Sequence, residues 1–134
     1  MLPLFFYGTL MDAEVRALML GRPIDVAPAR LRGYRRVPVA GRPYPTLLIS
    51  SNDCVDGVLA REILPEELKR LIAYEGAEYL LNDVQVLCNE GGLQDAQAFL
   101  TRPGIAISAH LDWTLGDWQR RHKRRLLSRT PAPR

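Results

Sequence analysis

Two short stretches hold residue types that could do chemistry together. Tyr7-Gly8-Thr9-Leu10 follows the apolar run Leu4-Phe5-Phe6, and Asp12–Leu20 behind it reads as a helix. Strand, tight turn and helix in succession present free backbone N–H groups beside the positive end of a helix dipole. That is a ready site for an anion such as a carboxylate. The plainer alternative is a buried first strand whose Thr9 caps the helix, with Asp12 three residues on. The second stretch is Ala73-Tyr74-Glu75-Gly76, at the C-terminal end of a helix that starts at Pro65. Negative charge there opposes the helix dipole, which raises a carboxylate's pKa. Tyr74 and Tyr79 add aromatic surface nearby in sequence. A solvated surface Glu beside a turn is the alternative reading of Glu75.

The elements that must position these residues follow from pattern. Leu4–Tyr7 reads as a strand, and the helix Asp12–Leu20 is closed by Gly21 with Pro23 beyond it. Ile24–Leu31 and Tyr34–Val39 read as strands separated by Arg32-Gly33. Gly41-Arg42-Pro43 is a loop, Thr46–Ile49 an apolar run and Ser50–Asp53 a turn cluster. Val55–Ile63, with Gly57 inside it, reads as a strand with a bend or bulge.

Pro65–Tyr74 is the clearest helix. Pro65 suits its first position, Glu66 and Glu67 favour its positive end, and Leu68, Leu71 and Ile72 make one apolar face. Val84–Cys88 and Ala96–Thr101 flank Glu90-Gly91-Gly92 as an antiparallel hairpin. Leu115–Leu127 is a final amphipathic helix, and Thr130–Arg134 reads as a frayed terminus. Strands outnumber helices and several are hairpin-linked. The class is therefore α+β: a mostly antiparallel sheet, able to curl into a barrel, with helices against it.

Length and composition bound the function. One domain is the natural reading of 134 residues, with a core that needs no disulfide or metal. Cys54 and Cys88 are isolated and only two histidines are present, a set without metal-ligand spacing. Both cysteines read as reduced, half-buried residues of a cytoplasmic protein. The apolar start is too short for a signal-peptide core, and no run reaches the length of a transmembrane helix. The net charge of +3 hides an asymmetry. Residues 119–134 hold seven Arg and Lys and no acid, which leaves a body of 11 basic and 15 acidic residues. The run Arg120–Arg125 reads as the solvated face of a helix whose other face docks Trp113, Trp118, Leu126 and Leu127. No aromatic residues interleave the basic ones as stacking on nucleic acid would want. His110 and His122 read as surface or hydrogen-bonded residues, and the serines lack a nucleophile-elbow context.

Taken together, the segments resemble the γ-glutamylcyclotransferase-like family. Phe6-Tyr7-Gly8-Thr9-Leu10-Met11 is similar to the family's loop after the first strand. Leu31-Arg32-Gly33-Tyr34, Tyr44-Pro45, Val55–Leu59 and Leu71–Gly76 followed by Tyr79 fall in the family's order, and Ala96–Leu100 lies where it has a strand. The resemblance implies a small mixed, mostly antiparallel β-barrel flanked by helices. It implies action on a small γ-glutamyl compound: the α-amine attacks the γ-carbonyl, closes 5-oxoproline and releases an amine, with no cofactor. By position, Glu75 would be the general acid/base, and Tyr7, Gly8, Thr9 and Leu10 would hold the α-carboxylate. Ile72, Leu80-Leu81 and Phe99 stand where the family commonly has Asp, Arg and Tyr. These departures keep a binding module of the same fold, without turnover, as the alternative.

Overall fold

The computed structural model describes residues 2–129. Strand β1 (Leu4–Phe6) leads through a 3-10 turn (Thr9–Met11) into α1 (Ala13–Leu20). Strands β2 (Ala27–Pro38) and β3 (Pro45–Ala60) form a long hairpin. Helix α2 (Pro65–Glu75) follows, then the hairpin of β4 (Tyr79–Cys88) and β5 (Leu93–Thr101). The chain ends in consecutive helical segments: α3 (Leu115–Trp118), a π-helical stretch (Gln119–Lys123) and α4 (Arg124–Arg129). The strands close a barrel in the order β1-β3-β2-β4-β5. All pairings are antiparallel except β1 with β5, which meet in parallel at Leu4 and Gln97. Among the described residues no helix is long and apolar enough to cross a membrane.

Side-chain alternation along β1 divides the core. Phe5 and Tyr7, the residue just past β1, join Leu31, Val55, Leu59, Val86 and Ala98 of the other strands in one cluster. Leu4 and Phe6 point the other way, into a cluster with Val15, Leu20, Leu71, Trp113 and Trp118 between sheet and helices. The bond from the Tyr7 hydroxyl to the Phe99 carbonyl reaches across this closure.

Several local expectations change in the fold. The two strands expected on either side of Arg32-Gly33 are one strand, β2, because its pairing with β3 resumes after Gly33. The ladder steps from Arg32 opposite Cys54 to Tyr34 opposite Ile49. Ser50–Asp53 therefore bulges within β3 instead of ending a strand, and a Ser50 to Asp53 side-chain bond spans the bulge. Its turn chemistry is real, but the ladder on both sides carries the strand through. Cys54, just past the bulge, is exposed, while Cys88 is half-buried and both are free thiols. Leu71 is buried but Ile72 is 48% exposed, since α2 turns Leu68, Leu71 and Tyr74 towards the core. The Thr130–Arg134 terminus lies outside the described residues.

Candidate active site

The turn after β1 is built to leave donors free. Met11 N–H bonds the Gly8 carbonyl at 3.0 Å and Asp12 N–H bonds that of Thr9 at 3.1 Å. These bonds leave the N–H groups of Gly8, Thr9 and Leu10 without an acceptor among the described residues. The carbonyls, in contrast, are held from behind. Arg36 donates to Tyr7 O at 2.7 Å while its guanidinium lies 5.8 Å from the Trp113 ring centroid. Buried Arg16 donates to Leu10 O and Met11 O at 3.0 and 3.1 Å. The Tyr7–Gly8 peptide is thus held at its carbonyl by Arg36 while its N–H stays free, and the second guanidinium, Arg16, braces the far end of the turn, a setting that favours a bound anion. Pro45 packs on Gly8 so closely that a Cβ there would stand 3.1 Å from Pro45 Cγ. Tyr79 fixes that proline by donating to its carbonyl at 2.6 Å.

Thr9 does not cap α1. Asp12 does, accepting the Val15 N–H at 3.0 Å. Thr9 instead shares a 2.6 Å hydrogen bond with the Tyr74 hydroxyl, which ties the turn to the last turn of α2. Glu75 is the next residue, ending α2 where Gly76 takes φ 81° and donates to Ile72 O.

Turn and carboxyl face one cavity of about 540 Å³. Tyr7, Gly8, Thr9 and Leu10 line one part of it, and Glu75 lines it together with Tyr44, Tyr74, Tyr79 and Phe99. Burial pushes the Glu75 carboxyl up to about 8. The helix dipole read from the sequence points the same way, but desolvation is the dominant cause. The surrounding phenols are also raised by burial, Tyr74 to about 12 and Tyr7 and Tyr79 further, each with a contribution from Glu75. All three therefore stay neutral at physiological pH. The cavity holds a carboxyl that burial shifts towards neutrality, flanked by phenols that keep their own protons there.

The C-terminal helix supplies the remaining wall. Trp118, His122, Arg125 and Leu126 line the cavity. The solvated face expected for the basic run therefore holds only for part of it. The helical spacing that docks Trp118 and Leu126 also brings half-buried His122 and exposed Arg125 to the cavity lining. The helix is latched to the end of the turn after β1 through Asp12. Gln119 donates to Asp12 Oδ2 at 2.8 Å, and Lys123 reaches the same oxygen at 2.8 Å and Glu14 at 2.9 Å. Burial alone would raise the Asp12 pKa, but the bonds from Lys123, Gln119 and the Val15 N–H together hold it below its ordinary 3.8.

Replacing Asp12 by Ala removes the cap and this latch at once. The expected loss is about 2 kcal/mol at neutral pH, read by denaturant titration. Asp12's folded pKa is lowered, so its contribution is present above the unfolded value and lost as pH falls through the folded one. The gap between wild type and variant should close below about pH 4.

The departures at Ile72 and Leu80 lie away from the cavity, with side chains 48% and 41% exposed, and only Phe99 lines it. Comparison with known proteins agrees with barrel and motif order. The family model for gamma-glutamyl cyclotransferase, AIG2-like proteins matches residues 4–120. AIG2-like protein C of Arabidopsis thaliana is 28% identical over 128 residues, covering 95% of this chain and 74% of that protein. The solution structure of At5g39720.1 from Arabidopsis thaliana superposes with a TM-score of 0.72 at 26% identity, over 95% of this chain and 86% of that one. A structure titled gamma-glutamyl cyclotransferase shares the fold, with a TM-score of 0.68 at 20% identity over 80% of this chain and 68% of its own. With the five-stranded closed barrel and the ordered motifs already in place, the match over residues 4–120 is decisive: this chain belongs to the gamma-glutamyl cyclotransferase, AIG2-like family.

Proposed function

We propose that this protein is a cyclotransferase acting on a small γ-glutamyl compound, and that it works in the cytoplasm. The observation that carries the reading is the single cavity shared by the Tyr7–Leu10 turn and Glu75. The free N–H groups of the turn hold the substrate's α-carboxylate, which fixes the α-amine and γ-carbonyl of the same molecule within attacking distance. The amine nitrogen forms a bond to the γ-carbon, and the bond from that carbon to the leaving nitrogen breaks. The attacking ammonium loses two protons on becoming the lactam N–H, and the departing amine gains two, so the reaction is proton-neutral. Glu75 relays them one at a time, and a carboxyl titrating near 8 can both accept and return a proton.

Purified protein incubated with γ-glutamyl amines and dipeptides should release 5-oxoproline. With Glu75 as the base, kcat/KM should rise with pH and level off above an apparent pKa near 8. A profile already flat from pH 5 upward would mean that Glu75 is not the group that titrates. The second reading, a ligand-binding module without turnover, is favoured by Phe99, which offers the cavity a ring without a hydroxyl. Binding of every γ-glutamyl compound without 5-oxoproline would select it.

A further inference from the structure

Arg36 sits behind the turn after β1, half-buried and outside the cavity lining. It donates to the Tyr7 carbonyl at 2.7 Å and to the Asp56 carbonyl at 3.2 Å, and its guanidinium lies 5.8 Å from the Trp113 ring centroid. Among the described residues no carboxylate comes within ion-pair distance of it. The Asp56 side chain pairs with Arg30 instead, at 2.7 Å. The Arg36 Nε is buried and has no hydrogen-bond partner among the described residues. Burial pushes the pKa of Arg36 down, and Asp56 and Tyr7 offset this only in part. A guanidinium nevertheless keeps its charge at neutral pH. The fold therefore draws a cation out of water beside the turn without neutralising it by a side chain, which is costly unless something else completes the pair.

We infer that Arg36 is a positioning residue whose charge is completed by the bound α-carboxylate, acting through the Tyr7–Gly8 peptide that lies between the two. This role rests on the anchoring half of the cyclotransferase reading, not on turnover. The Tyr7 carbonyl and the Gly8 N–H belong to one planar peptide unit and point to opposite sides of it. With the carbonyl on Arg36, the N–H is aimed away from the guanidinium, and Gly8 lines the cavity. Cation, carbonyl, N–H and anion then form a chain in which each bond polarises the next. An anion on the N–H gains from the cation behind the peptide, and the cation gains the counter-charge that the folded chain withholds. A neutral group on the same N–H would accept the hydrogen bond but leave the guanidinium uncompensated.

Two ligands that differ in one group separate charge from geometry: γ-glutamylethylamide, with its free α-carboxylate, and the α-carboxamide of the same compound. Each is titrated calorimetrically into Glu75→Gln protein, from which the proposed proton relay has been removed. The carboxylate form should bind more tightly. Adding Arg36→Gln should cut that preference about tenfold, the equivalent of one charge-assisted contact, while the carboxamide stays within about twofold of its parent affinity. Arg36→Lys, which keeps the charge, should retain most of the preference. Equal weakening of both ligands by Arg36→Gln, as simple loss of turn geometry would produce, overturns the inference. So does an unchanged preference, or no binding of either ligand by the parent. Arg36→Met, which keeps a long side chain against Trp113, carries the same comparison if the Gln variant does not fold. Wild-type protein is then assayed for 5-oxoproline from the carboxylate form. A preference that Arg36→Gln removes, with no product from wild type, would refute turnover and leave the role of Arg36 standing. Product from wild type, with a preference that Arg36→Gln does not change, would do the reverse.

Discussion

Replacing Glu75 by Gln is expected to cut 5-oxoproline formation by about 10²–10⁴-fold while making the protein more resistant to unfolding at alkaline pH. The two effects share one cause. The Glu75 carboxyl sits among the aromatic rings of Tyr74, Tyr79 and Phe99, with no hydrogen-bond donor or cation on it among the described residues. Its folded-state pKa of about 8 lies above the ordinary 4.5. The native state therefore keeps this proton when the unfolded chain has lost it. Stability is full below pH 4.5, declines as pH rises towards 8, and levels off beyond. The whole decline is at most roughly 5 kcal/mol. Gln keeps the shape and cannot ionise, so the variant escapes the decline and also cannot relay a proton. Denaturant midpoints at pH 5 and pH 9 read the first effect, and product formation reads the second. Unchanged product would remove Glu75 from the mechanism. A midpoint gap that does not widen with pH would show that the carboxyl titrates near its ordinary value. A functional group held against its own stability is what an active site is expected to contain.

Gly57→Ala should strongly destabilise the barrel. A Cβ at Gly57 would lie 2.4 Å from the Phe6 carbonyl oxygen and 2.7 Å from two carbons of the Phe5 ring. The first of these is backbone, held in the β1–β3 ladder where Phe6 stands opposite Val58. It cannot withdraw without opening the barrel, and Phe5 is among the most buried side chains of the molecule. The cost should exceed the ordinary range for overpacking, on the order of 4 kcal/mol, with a melting temperature lowered by roughly 10 °C or more. Because β1 carries the anchor turn at its end, substrate binding should weaken with it. Gly92→Ala is the control, since a Cβ there meets nothing within 4 Å. It should change stability by no more than about 0.5 kcal/mol. A Gly57→Ala protein that melts with wild type would mean that β1 and β3 do not cross as closely as described.

Most elements were legible because their signals act over a few residues. Gly21 and Gly76 end helices with positive φ, and Pro65 opens one. The hairpin around Gly91 needed only turn chemistry and alternation. The expectations that failed are those in which a distant partner overrides a local signal. Ser50–Asp53 is bulged into a strand by the ladder with β2. Thr9 loses the cap to Asp12 and is taken up by Tyr74, 65 residues away. Ile72 matches the apolar spacing of α2, yet its neighbours on the helix win the buried positions. The basic run at the C-terminus reads as one solvated face, and Arg120, Arg121, Arg124 and Arg125 are exposed, but docking of Trp118 also brings His122 and Arg125 to the cavity and Lys123 to Asp12.

By itself the sequence determined most of the elements, the α+β class and the two stretches, Tyr7–Leu10 and Glu75, on which the proposed chemistry rests. It did so because backbone preference and hydrophobic period are local properties. Only the tertiary structure decided that the two stretches share a cavity, that Tyr79 and Pro45 brace the turn, and that the C-terminal helix forms the remaining wall. It also decided how the Glu75 carboxyl titrates. A pKa depends on what surrounds a charge, and here the surroundings come from strands and helices far apart in the chain, brought together only when the barrel closes.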